Sequence, residues 1–365
     1  MIRYRARWVL PISRPPIAAG VVAVEGERIA YVGTAEGAPA GEDVDLGNVL
    51  LMPGLVNAHC HLELTGMRGF LEELDFGDWI LRLATAKRAV LTSLDMLIDA
   101  ARLGIAEGLR AGVTTYGDTC HSGAVVDALR ECGVRGIMYQ EVFGPDPAQC
   151  SGSMAELREQ VAAARALETP LVRVGVSPHA PYTVSGPLLE LVTDYALAED
   201  LPVMIHAAES LAEAEFMRDG RGPFAKGLAR RGIAWRAPRV STVQYLNTLG
   251  VLSARPLLAH CVRVGEEDLA TIGEWGARVA HCPKSNAKLG HGRAPFAAFL
   301  RSEIALGFGS DSVASNNTCD MLEEARFATL MARAAGGVPG PGGQLAGARD
   351  ALRVATQGGA EALGL

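Results

Sequence analysis

The sequence lacks the charge pattern and the hydrophobic runs of several large functional classes. Its 34 lysines and arginines are outnumbered by 41 aspartates and glutamates, so the net charge of −7 gives no basic footprint for nucleic acid. No apolar run is long enough to span a bilayer, and the N-terminus has no apolar segment followed by a small-residue cleavage site. We therefore expect no signal peptide, no nucleic-acid partner and no membrane partner.

Cysteine is also sparse and irregularly placed. The seven cysteines include no Cys-x-x-Cys pair, and several lie in apolar runs, where a free cysteine behaves as a small buried hydrophobe. This usage favours a reducing, cytoplasmic compartment. No Gly-x-Gly-x-x-Gly follows the first strand of the main domain, which leaves dinucleotide binding without support. Aromatic residues, at 5%, give little indication of a ligand.

The chain does contain enough apolar sequence for a large core, with 49% apolar and 21% charged residues. Residues 1–50 alternate between short strands and turns, and "GVVAVEGERIAYVGTAEG" predicts a hairpin with Gly26 at its turn. From residue 51 onward, β-branched apolar runs alternate with amphipathic stretches, the pattern of repeated βα units around a parallel sheet. "SLDMLIDAARLGIAEGLRAG" is helical and ends on Gly112, and "SMAELREQVAAARAL" begins with a capping-box pattern, Ser153 and Glu156.

Eight strands are predicted in residues 51–365, which is the number that a (β/α)8 TIM-type barrel requires. An open, doubly wound sheet is the competing architecture. The segment from Leu62 to Ser93 is too long for a plain βα loop, and we expect it to act as a lid that carries Phe76 and Trp79. A Gly/Pro-rich stretch, "AAGGVPGPGGQLAGA", follows the last long helix. The predicted strands lie in "VLLMPGLVNAHCH", "GVTTYGDTCH", "GIMYQEVFG", "VRVGVSPHAPYT", "PVMIHAAES", "PLLAHCVRV", "RVAHCPKSN" and "IALGFGSDS".

Polar residues concentrate where these strands end. Seven of the eight histidines lie at or just past a predicted strand terminus, and His291 is the exception. Because a parallel barrel brings all those ends to one face, where active sites of this fold are assembled, scattered core histidines would not show this bias. The strand-end residues are His59, His61, His121, Glu141, His179, His206, Glu209, His260, His281 and Asp311.

Four of these residues form a metal-ligand pattern. His59 and His61 are two apart on one strand, so both side chains project from the same face, whereas Cys60 points the other way into the packing. With His206 and Asp311 they supply three imidazoles and one carboxylate. This set suits a catalytic zinc or iron ion that keeps a position open for water. A hydrogen-bonded core position is the alternative for each histidine taken alone.

Two further residues are candidates for proton transfer. Glu209 lies three residues beyond His206, where the strand turns out of the sheet, and is well placed as a proton shuttle. An ordinary position at a helix N-terminus, favoured by the helix dipole, is the alternative. His260 is either a fourth imidazole ligand or a base beside the metal, and the spacing does not decide between them.

The remaining histidines differ in what their surroundings indicate. His179 lies in "SPHAPYT", where two prolines fix the loop, and we expect it to contact a substrate. His281, in "HCPKSN", is evenly balanced between structural support and substrate contact. We interpret His121 and His291 as structural.

Five motifs together, "PGLVNAHCH", "HAAES", "LLAHCV", "HCPKSN" and "GSDS" in that order, resemble the amidohydrolase superfamily. The resemblance covers residues 50 to about 365 and is greatest with the branch of cytosine, guanine and adenosine-type deaminases and triazine chlorohydrolases. It implies a (β/α)8 barrel with one divalent metal ion, zinc first and iron or manganese as alternatives. The residues that match the family's ligands are His59, His61, His206 and Asp311.

The resemblance also implies the mechanism and the organisation of the chain. It assigns proton transfer to Glu209 and His260, with Asp311 as a further proton acceptor. The fourth strand has no lysine at its end, where binuclear members carry a carboxylated lysine, so we expect a mononuclear site. Residues 1–50 match the start of a small β-sandwich. Because the sequence ends at "ATQGGAEALGL", we expect that sandwich to be incomplete.

The implied activity is hydrolytic deamination of an adenine-type nucleoside, such as aminodeoxyfutalosine of menaquinone biosynthesis or an S-adenosylhomocysteine-like or adenosine-like nucleoside. Glu141, Arg68, Arg263 and Trp79 are candidate contacts to ribose or to a substrate carboxylate. A small-molecule substrate is the expected partner, and a homodimer is left open. A triazine- or guanine-type aminohydrolase or chlorohydrolase is the alternative activity, and a non-catalytic binding barrel is a remote one.

Overall fold

The computed structural model describes residues 1–302, 304–334, 336 and 346–365, and within them the chain divides into two units, Met1–Gly54 and Leu55–Leu365. Most of the Gly/Pro-rich stretch predicted after the last long helix lies outside the described residues. No helix in the described ranges is both long and apolar enough to cross a membrane.

The first unit is built on one five-stranded sheet in the order β3-β2-β1-β4, with β5 also paired to β1. β1 runs antiparallel to β2 and parallel to β4 and β5. The predicted hairpin is present, because Gly26 adopts a φ of 58° between β2 and β3. The strands are β1 Ile2–Val9, β2 Ile17–Glu25, β3 Arg28–Thr34, β4 Glu42–Asp45 and β5 Leu50–Leu51.

The second unit is a mixed α/β fold with two four-stranded parallel sheets, β6-β7-β8-β9 and β10-β11-β12-β13. Each of the eight predicted strand segments contains one of these strands. Most of their residues are buried, and β6 is buried at all six of its positions, as expected for parallel strands covered on both faces. The strands are β6 Leu55–Cys60, β7 Val113–Cys120, β8 Arg135–Val142, β9 Val172–Pro178, β10 Met204–Ala207, β11 Leu257–His260, β12 Arg278–His281 and β13 Leu306–Phe308.

Helices follow most strands of the second unit. Four short 3-10 helices, Ala35–Gly37, Leu62–Met67, Pro147–Gln149 and Val251–Ala254, and a π-helical turn, Val354–Gly358, complete the described secondary structure. The α-helices are α1 Phe76–Val90, α2 Leu94–Arg110, α3 Ala124–Cys132, α4 Cys150–Arg165, α5 Gly186–Ala198, α6 Leu211–Asp219, α7 Gly222–Arg230, α8 Thr242–Thr248, α9 Glu266–Trp275, α10 Pro283–Lys288, α11 Phe296–Arg301, α12 Val313–Asn316, α13 Met321–Ala334, α14 Ala348–Arg353 and α15 Gly359–Leu363.

Two helix termini test the sequence predictions directly. Gly112 follows the last turn of α2 with a φ of +85°, which confirms the predicted glycine stop. The capping box predicted for α4 is wrong, because the helix begins at Cys150, upstream of Ser153. The Ser153 hydroxyl instead donates to the Phe143 carbonyl at 3.2 Å.

The ends of the two parallel sheets are joined by hydrogen bonds. Val176 of β9 bridges to Val203, and the Val176 amide donates to the Pro202 carbonyl at 2.9 Å. At the other ends Cys60 of β6 bridges to Asp311, just after β13, and the Asp311 amide donates to the His59 carbonyl at 2.9 Å. Side chains of both sheets share one buried cluster with two residues of α15: Val56, Ala58, Ile137, Tyr139, Met204, Leu257, Ala280, Ala362 and Leu363.

The long segment after β6 is a pair of helices rather than a loop. Its 3-10 helix, Leu62–Met67, packs against α1, and the Asp75 side chain caps α1 by accepting from the Asp78 amide at 3.1 Å. Phe76 and Trp79 are buried on the inner side of α1 together with Leu289. This arrangement places aromatic side chains next to the carboxyl ends of the strands.

Candidate functional site

The polar residues at the strand ends converge on one point. His59 and His61 come from the end of β6, His206 from β10, and Asp311 follows β13. One carboxylate oxygen, Asp311 Oδ1, lies 3.5 Å from His59 Nε2 and 3.3 Å from His61 Nε2. His61 Nε2 in turn lies 3.3 Å from His206 Nε2. The four side chains predicted from sequence as metal ligands are therefore adjacent in space.

The Nδ1 nitrogens of two of these rings, His61 and His206, face backbone carbonyl groups. His61 Nδ1 is 3.1 Å from the Thr119 carbonyl, and His206 Nδ1 is 2.9 Å from the His179 carbonyl. In a neutral imidazole, an Nδ1–H that donates to a carbonyl leaves Nε2 as the free electron pair. Such partners fix both the tautomer and the orientation of a metal-binding histidine.

Burial and charge give three of these groups, His59, His206 and Asp311, the protonation states that a cation requires. Burial lowers the pKa of His59 to about 4 and the pKa of His206 well below its usual value, so both rings are neutral near pH 7. Burial alone would raise the pKa of Asp311, but the adjacent His59 and His61 rings hold it well below its ordinary value. Burial would likewise lower the pKa of His61, yet the Asp311 carboxylate raises it to about 9, so this ring has to release a proton when it binds a cation.

The donor set fits a divalent metal ion. The ligand atoms of His59, His61 and His206 all lie within 4.8 Å of one another, and so do those of His59, His260 and Asp311. His59 Nε2 and His260 Nε2 are buried, and no group in the described ranges forms a hydrogen bond with either. Neutral imidazoles with an ionised carboxylate are the ligands that zinc and related ions prefer.

The backbone at these strand ends is strained. His260 (φ 74°), Cys261 (φ 47°) and Asp311 (φ 57°) occupy the left-handed region, as does Ala208 (φ 53°) beside Glu209. Non-glycine residues adopt such angles rarely, at a cost of about 1–3 kcal/mol each, and they cluster at functional sites. Two of these strained residues, His260 and Asp311, are candidate site residues, and the other two are next to a candidate site residue.

Glu209 lies at the edge of the cluster, and each of its carboxylate oxygens has a neighbouring polar side chain. Its Oε1 is 3.7 Å from His260 Nε2 and 3.1 Å from His291 Nε2. Its Oε2 accepts a hydrogen bond from the Tyr182 hydroxyl at 3.3 Å. Burial alone would raise the pKa of Glu209, but His260 and His291 lower it below the ordinary value.

Glu213 fixes the backbone that carries Glu209. Its carboxylate accepts from the Ala208 amide at 2.9 Å, the Glu209 amide at 2.7 Å and the Thr242 hydroxyl at 2.7 Å. All three contacts are buried, so the left-handed turn at Ala208 is held by a fully bonded carboxylate. The sequence "HAAESLAEAE" contains this second glutamate, and its role was not predicted.

α10 orients two other residues of the cluster. The Asn286 side-chain oxygen lies 2.9 Å from His260 Nδ1, which turns His260 Nε2 toward Glu209. The Ser285 hydroxyl donates to Asp311 Oδ2 at 2.5 Å, and Ser315 donates to the same oxygen at 2.8 Å. The motif "HCPKSN" was noted in the sequence, but these two contacts were not predicted.

A small cavity of about 70 Å³ adjoins the cluster. Trp79 and Phe76 of α1 cover it, and His179 and Tyr182 line another side. Glu141, at the end of β8, lies within 4.8 Å of ligand atoms of His179 and His206. Three of the predicted substrate contacts, namely His179, Glu141 and Trp79, are therefore at or beside this cavity.

Two predicted substrate contacts lie elsewhere. Arg68 is exposed and forms an ion pair with Glu107 of α2, because the 3-10 helix after β6 directs it outward. His281 is buried among Phe296 and Phe308, and burial lowers its pKa to about 3.

His291 is the residue that the sequence interpretation missed most clearly. It follows no strand and was interpreted as structural, yet it contacts Glu209. Tyr182, in "SPHAPYT", was also overlooked. His121 is exposed, and its ring contacts Phe143 with centroids 5.5 Å apart.

Proteins similar to this chain in sequence or fold include deaminases and related hydrolases. A 5-methylthioadenosine/S-adenosylhomocysteine deaminase of Moorella thermoacetica is 33% identical over 365 residues, covering 98% of this chain and 79% of the relative. An aminodeoxyfutalosine deaminase of Deinococcus radiodurans is 35% identical over 324 residues, covering 85% of this chain and 75% of the relative.

A solved structure shows the same fold. An adenosine deaminase from Xanthomonas campestris, crystallised with bound zinc, superimposes with a TM-score of 0.82 at 29% identity, covering 100% of this chain and 80% of that one. The Amidohydrolase family itself matches residues 50–365, which includes every residue of the strand-end cluster. The chain therefore belongs to the amidohydrolase family.

Proposed function

We propose that this protein is a metal-dependent hydrolytic deaminase of an adenine-type nucleoside. The observation that carries the proposal is the convergence of three imidazoles and a carboxylate with Glu209 at their edge. The relatives named as deaminases of 5-methylthioadenosine, S-adenosylhomocysteine and aminodeoxyfutalosine support the substrate class. Hydrolysis adds the oxygen of water to the amino-bearing ring carbon and releases ammonia.

We propose that His59, His61, His206 and Asp311 hold one divalent ion and that the ion is zinc. The chemistry of the donor set and the zinc bound in the related adenosine deaminase support this assignment. When bound, such an ion makes a water molecule nucleophilic near neutral pH. The side chains of the site then have to accept, hold and deliver protons.

We assign to Glu209 the transfer of a proton to the ring nitrogen of the substrate. Glu209 is buried, and its carboxylate has His260 on one side and the Tyr182 hydroxyl on the other. Glu209 takes one proton from the attacking water and passes it to the ring nitrogen, which makes the adjacent carbon electrophilic; the other proton of the water reaches the amino group and lets ammonia leave. Asp311 accepts that other proton of the attacking water, and His260, held by Asn286, orients that water through Nε2.

His179, Glu141 and Trp79 are assigned to substrate contact, with Tyr182 as an addition. The cavity of about 70 Å³ is far smaller than the roughly 300–1,000 Å³ of typical ligand pockets. A nucleoside therefore enters only when α1, which carries Phe76 and Trp79, moves away from the strand ends.

Three proposals concern the whole chain. The bridges Val176–Val203 and Cys60–Asp311 support closure of the eight strands into a (β/α)8 barrel. We propose that residues 1–50 are part of a small β-sandwich domain and residues 51–365 the catalytic domain. All seven cysteines are free, which supports a reducing, cytoplasmic setting.

The test is an assay of the purified, zinc-loaded protein against adenosine, 5-methylthioadenosine, S-adenosylhomocysteine and aminodeoxyfutalosine. We expect ammonia release together with loss of the adenine absorbance for at least one of them. Glu209→Gln should retain zinc and lose most turnover, whereas Glu267→Gln, at the exposed start of α9, should behave like the wild type.

Two outcomes would contradict the proposal. Near-wild-type turnover by Glu209→Gln would remove the assigned proton carrier. Chloride release from a chlorotriazine, without ammonia release from any nucleoside, would place the protein among the chlorohydrolases instead.

A further inference from the structure

His291 is a buried histidine that the proposed reaction does not use. It lies in a turn after α10, between Gly290 (φ 70°) and Gly292 (φ 99°). Its amide donates to the Asn286 carbonyl at 2.9 Å, and its carbonyl accepts from Arg263 Nη2 at 2.7 Å. The backbone at this position is therefore fixed on both sides, and the side chain is directed inward with 3% exposure.

The imidazole of His291 lies between an aromatic ring and a carboxylate. Its ring meets Phe76 of α1 edge to face, with centroids 4.4 Å apart and an interplanar angle of 88°. Its Nε2 is 3.1 Å from Glu209 Oε1, but no group in the described ranges, Glu209 included, forms an aligned hydrogen bond with that nitrogen. The nitrogen and the carboxylate oxygen lie within the distance of a charge-assisted hydrogen bond, which needs only a rotation of the side chains to align.

Each oxygen of the Glu209 carboxylate therefore has a polar neighbour. The Tyr182 hydroxyl donates to Oε2 at 3.3 Å, and His291 Nε2 is at Oε1. His260 Nε2, at 3.7 Å from the same Oε1, is too distant to hold the carboxylate by itself. Loss of His291 would leave one oxygen of a buried carboxylate without a close donor.

We propose that His291 is a positioning residue for Glu209: its Nε2–H donates to Oε1 and keeps the carboxylate turned toward the cavity, while Phe76 keeps the imidazole in place. The proposal rests on the proposed function, in which Glu209 carries the proton. None of the residue groups able to hold a metal in the described ranges includes His291, so its action is separate from metal binding.

The kinetic test uses His291→Leu, which removes the donor, and His291→Gln, which keeps a neutral N–H donor of similar reach. We expect His291→Leu to lower kcat by about 10-fold to 100-fold, the range for loss of one hydrogen bond to a charged group. Glutamine should restore part of that loss. KM and zinc content should remain close to the wild-type values, because neither substitution touches a proposed ligand.

A double-mutant cycle with Glu209→Gln tests whether His291 acts through Glu209. If it does, adding His291→Leu to Glu209→Gln should lower kcat no further, because the group that it positions is already disabled. His121→Leu and His121→Gln are matched controls, since His121 is exposed and outside the cluster. Both should retain wild-type kcat. Full additivity in the cycle would overturn the proposal.

A spectroscopic readout tests the contact without turnover. In zinc-loaded protein labelled with ¹⁵N-histidine, the His291 signals are identified by their disappearance in His291→Gln. Glu209→Gln should shift the His291 Nε2 signal, and an unchanged signal would overturn the proposal even if the leucine variant fails to fold. If the wild-type protein deaminates no nucleoside, the proposed function fails, and this measurement still decides whether His291 contacts Glu209.

Discussion

Glu213 illustrates how a residue outside the metal cluster determines what happens inside it. Three buried donors converge on its carboxylate, and two of them are the amides that define the turn before Glu209. Glu213→Gln replaces one accepting oxygen with an NH₂ group that faces a donor. We expect a loss of about 1–3 kcal/mol in the free energy of unfolding and a clear fall in kcat, with zinc content retained.

Urea unfolding, steady-state kinetics and metal analysis of Glu213→Gln measure these effects. Thr242→Val is the matched control, because it removes only the third donor and leaves both amides bonded. It should lower stability by about 1 kcal/mol and leave kcat nearly unchanged. Equal kcat losses in the two variants would show that the turn at Ala208 is not what Glu213 controls.

Glu324 predicts a pH dependence of stability that is independent of the reaction. Burial raises its pKa from 4.5 to about 8, against the opposing effects of the Asn316 amide and Lys284. The folded state therefore binds more protons than the unfolded state between these two values. This contribution to stability is fully present below pH 4.5 and is lost as the pH rises to about 8.

Glu324→Gln should flatten the fall in the free energy of unfolding between pH 5 and about pH 8, which urea titrations at several pH values would show. Glu323 is the control, because hydrogen bonds from Lys284 and Thr318 lower its pKa instead. Glu323→Gln should leave the slope in this window intact. An unchanged slope in Glu324→Gln would contradict the assignment.

At the scale of single residues, the sequence predicts where some side chains of the candidate site lie and does not predict others. His59, His61, His206 and Asp311 were predictable because a strand end fixes where a side chain lies. His291 was not, because its contact with Glu209 depends on how the turn after α10 folds back across the cluster.

At the scale of secondary structure, the close approach of β6 and β13 depends on one glycine. A Cβ atom on Gly309 would lie 2.8 Å from both the Cβ and the carbonyl oxygen of His59, and 2.9 Å from Cys282 Sγ. These distances are below any normal contact, and two of the three atoms cannot rotate away. Gly309→Ala should therefore displace His59.

We expect Gly309→Ala to lower zinc content and the thermal midpoint together, as measured by metal analysis and calorimetry. Gly273→Ala is the control, since its Cβ would meet nothing within 4 Å in the interior of α9. Alanine there should leave zinc content unchanged and stabilise the helix by up to about 1 kcal/mol. Normal zinc content in Gly309→Ala would show that the strands adjust at this point.

Whether a segment is a helix or a strand was predictable where the apolar residues recur with a clear period. The residues at which helices and strands begin and end were less predictable. The eight parallel strands coincide with buried, mostly apolar runs, and α2 ends just before the predicted glycine. α4 starts earlier than its apparent capping box because an upstream turn at Asp146 already directs the chain, with the Asp146 side chain accepting from the Ala148 amide at 3.0 Å. Local sequence pattern cannot show which of two competing start signals dominates.

At the scale of the whole molecule, the proposed metal ion links strands from both ends of the second unit. His59 and Asp311 each contact it in the proposed site, and Asn57 and Ser310 beside them share two hydrogen bonds of 2.7 and 3.0 Å. Removing the metal by chelation should lower the thermal midpoint, because a bound ligand stabilises the folded state by mass action.

Hydrogen exchange measures where that stability is lost. After chelation, we expect faster exchange at the Asp311 amide, which donates to the His59 carbonyl, than at the Val176 amide, which donates to the Pro202 carbonyl. Readdition of zinc should restore the slower exchange. Uniform acceleration across the chain would indicate global destabilisation and would contradict a local role for the metal.

The pairing of β6 with the segment after β13 has a consequence for biosynthesis. Asn57 and Ser310 are separated by 253 positions, so the ribosome has to complete nearly the whole second unit before Asp311 reaches His59. A nascent chain can present at most an incomplete set of ligands while translation continues. Metal capture at the proposed site is therefore a late event of maturation, after most of the second unit has been made.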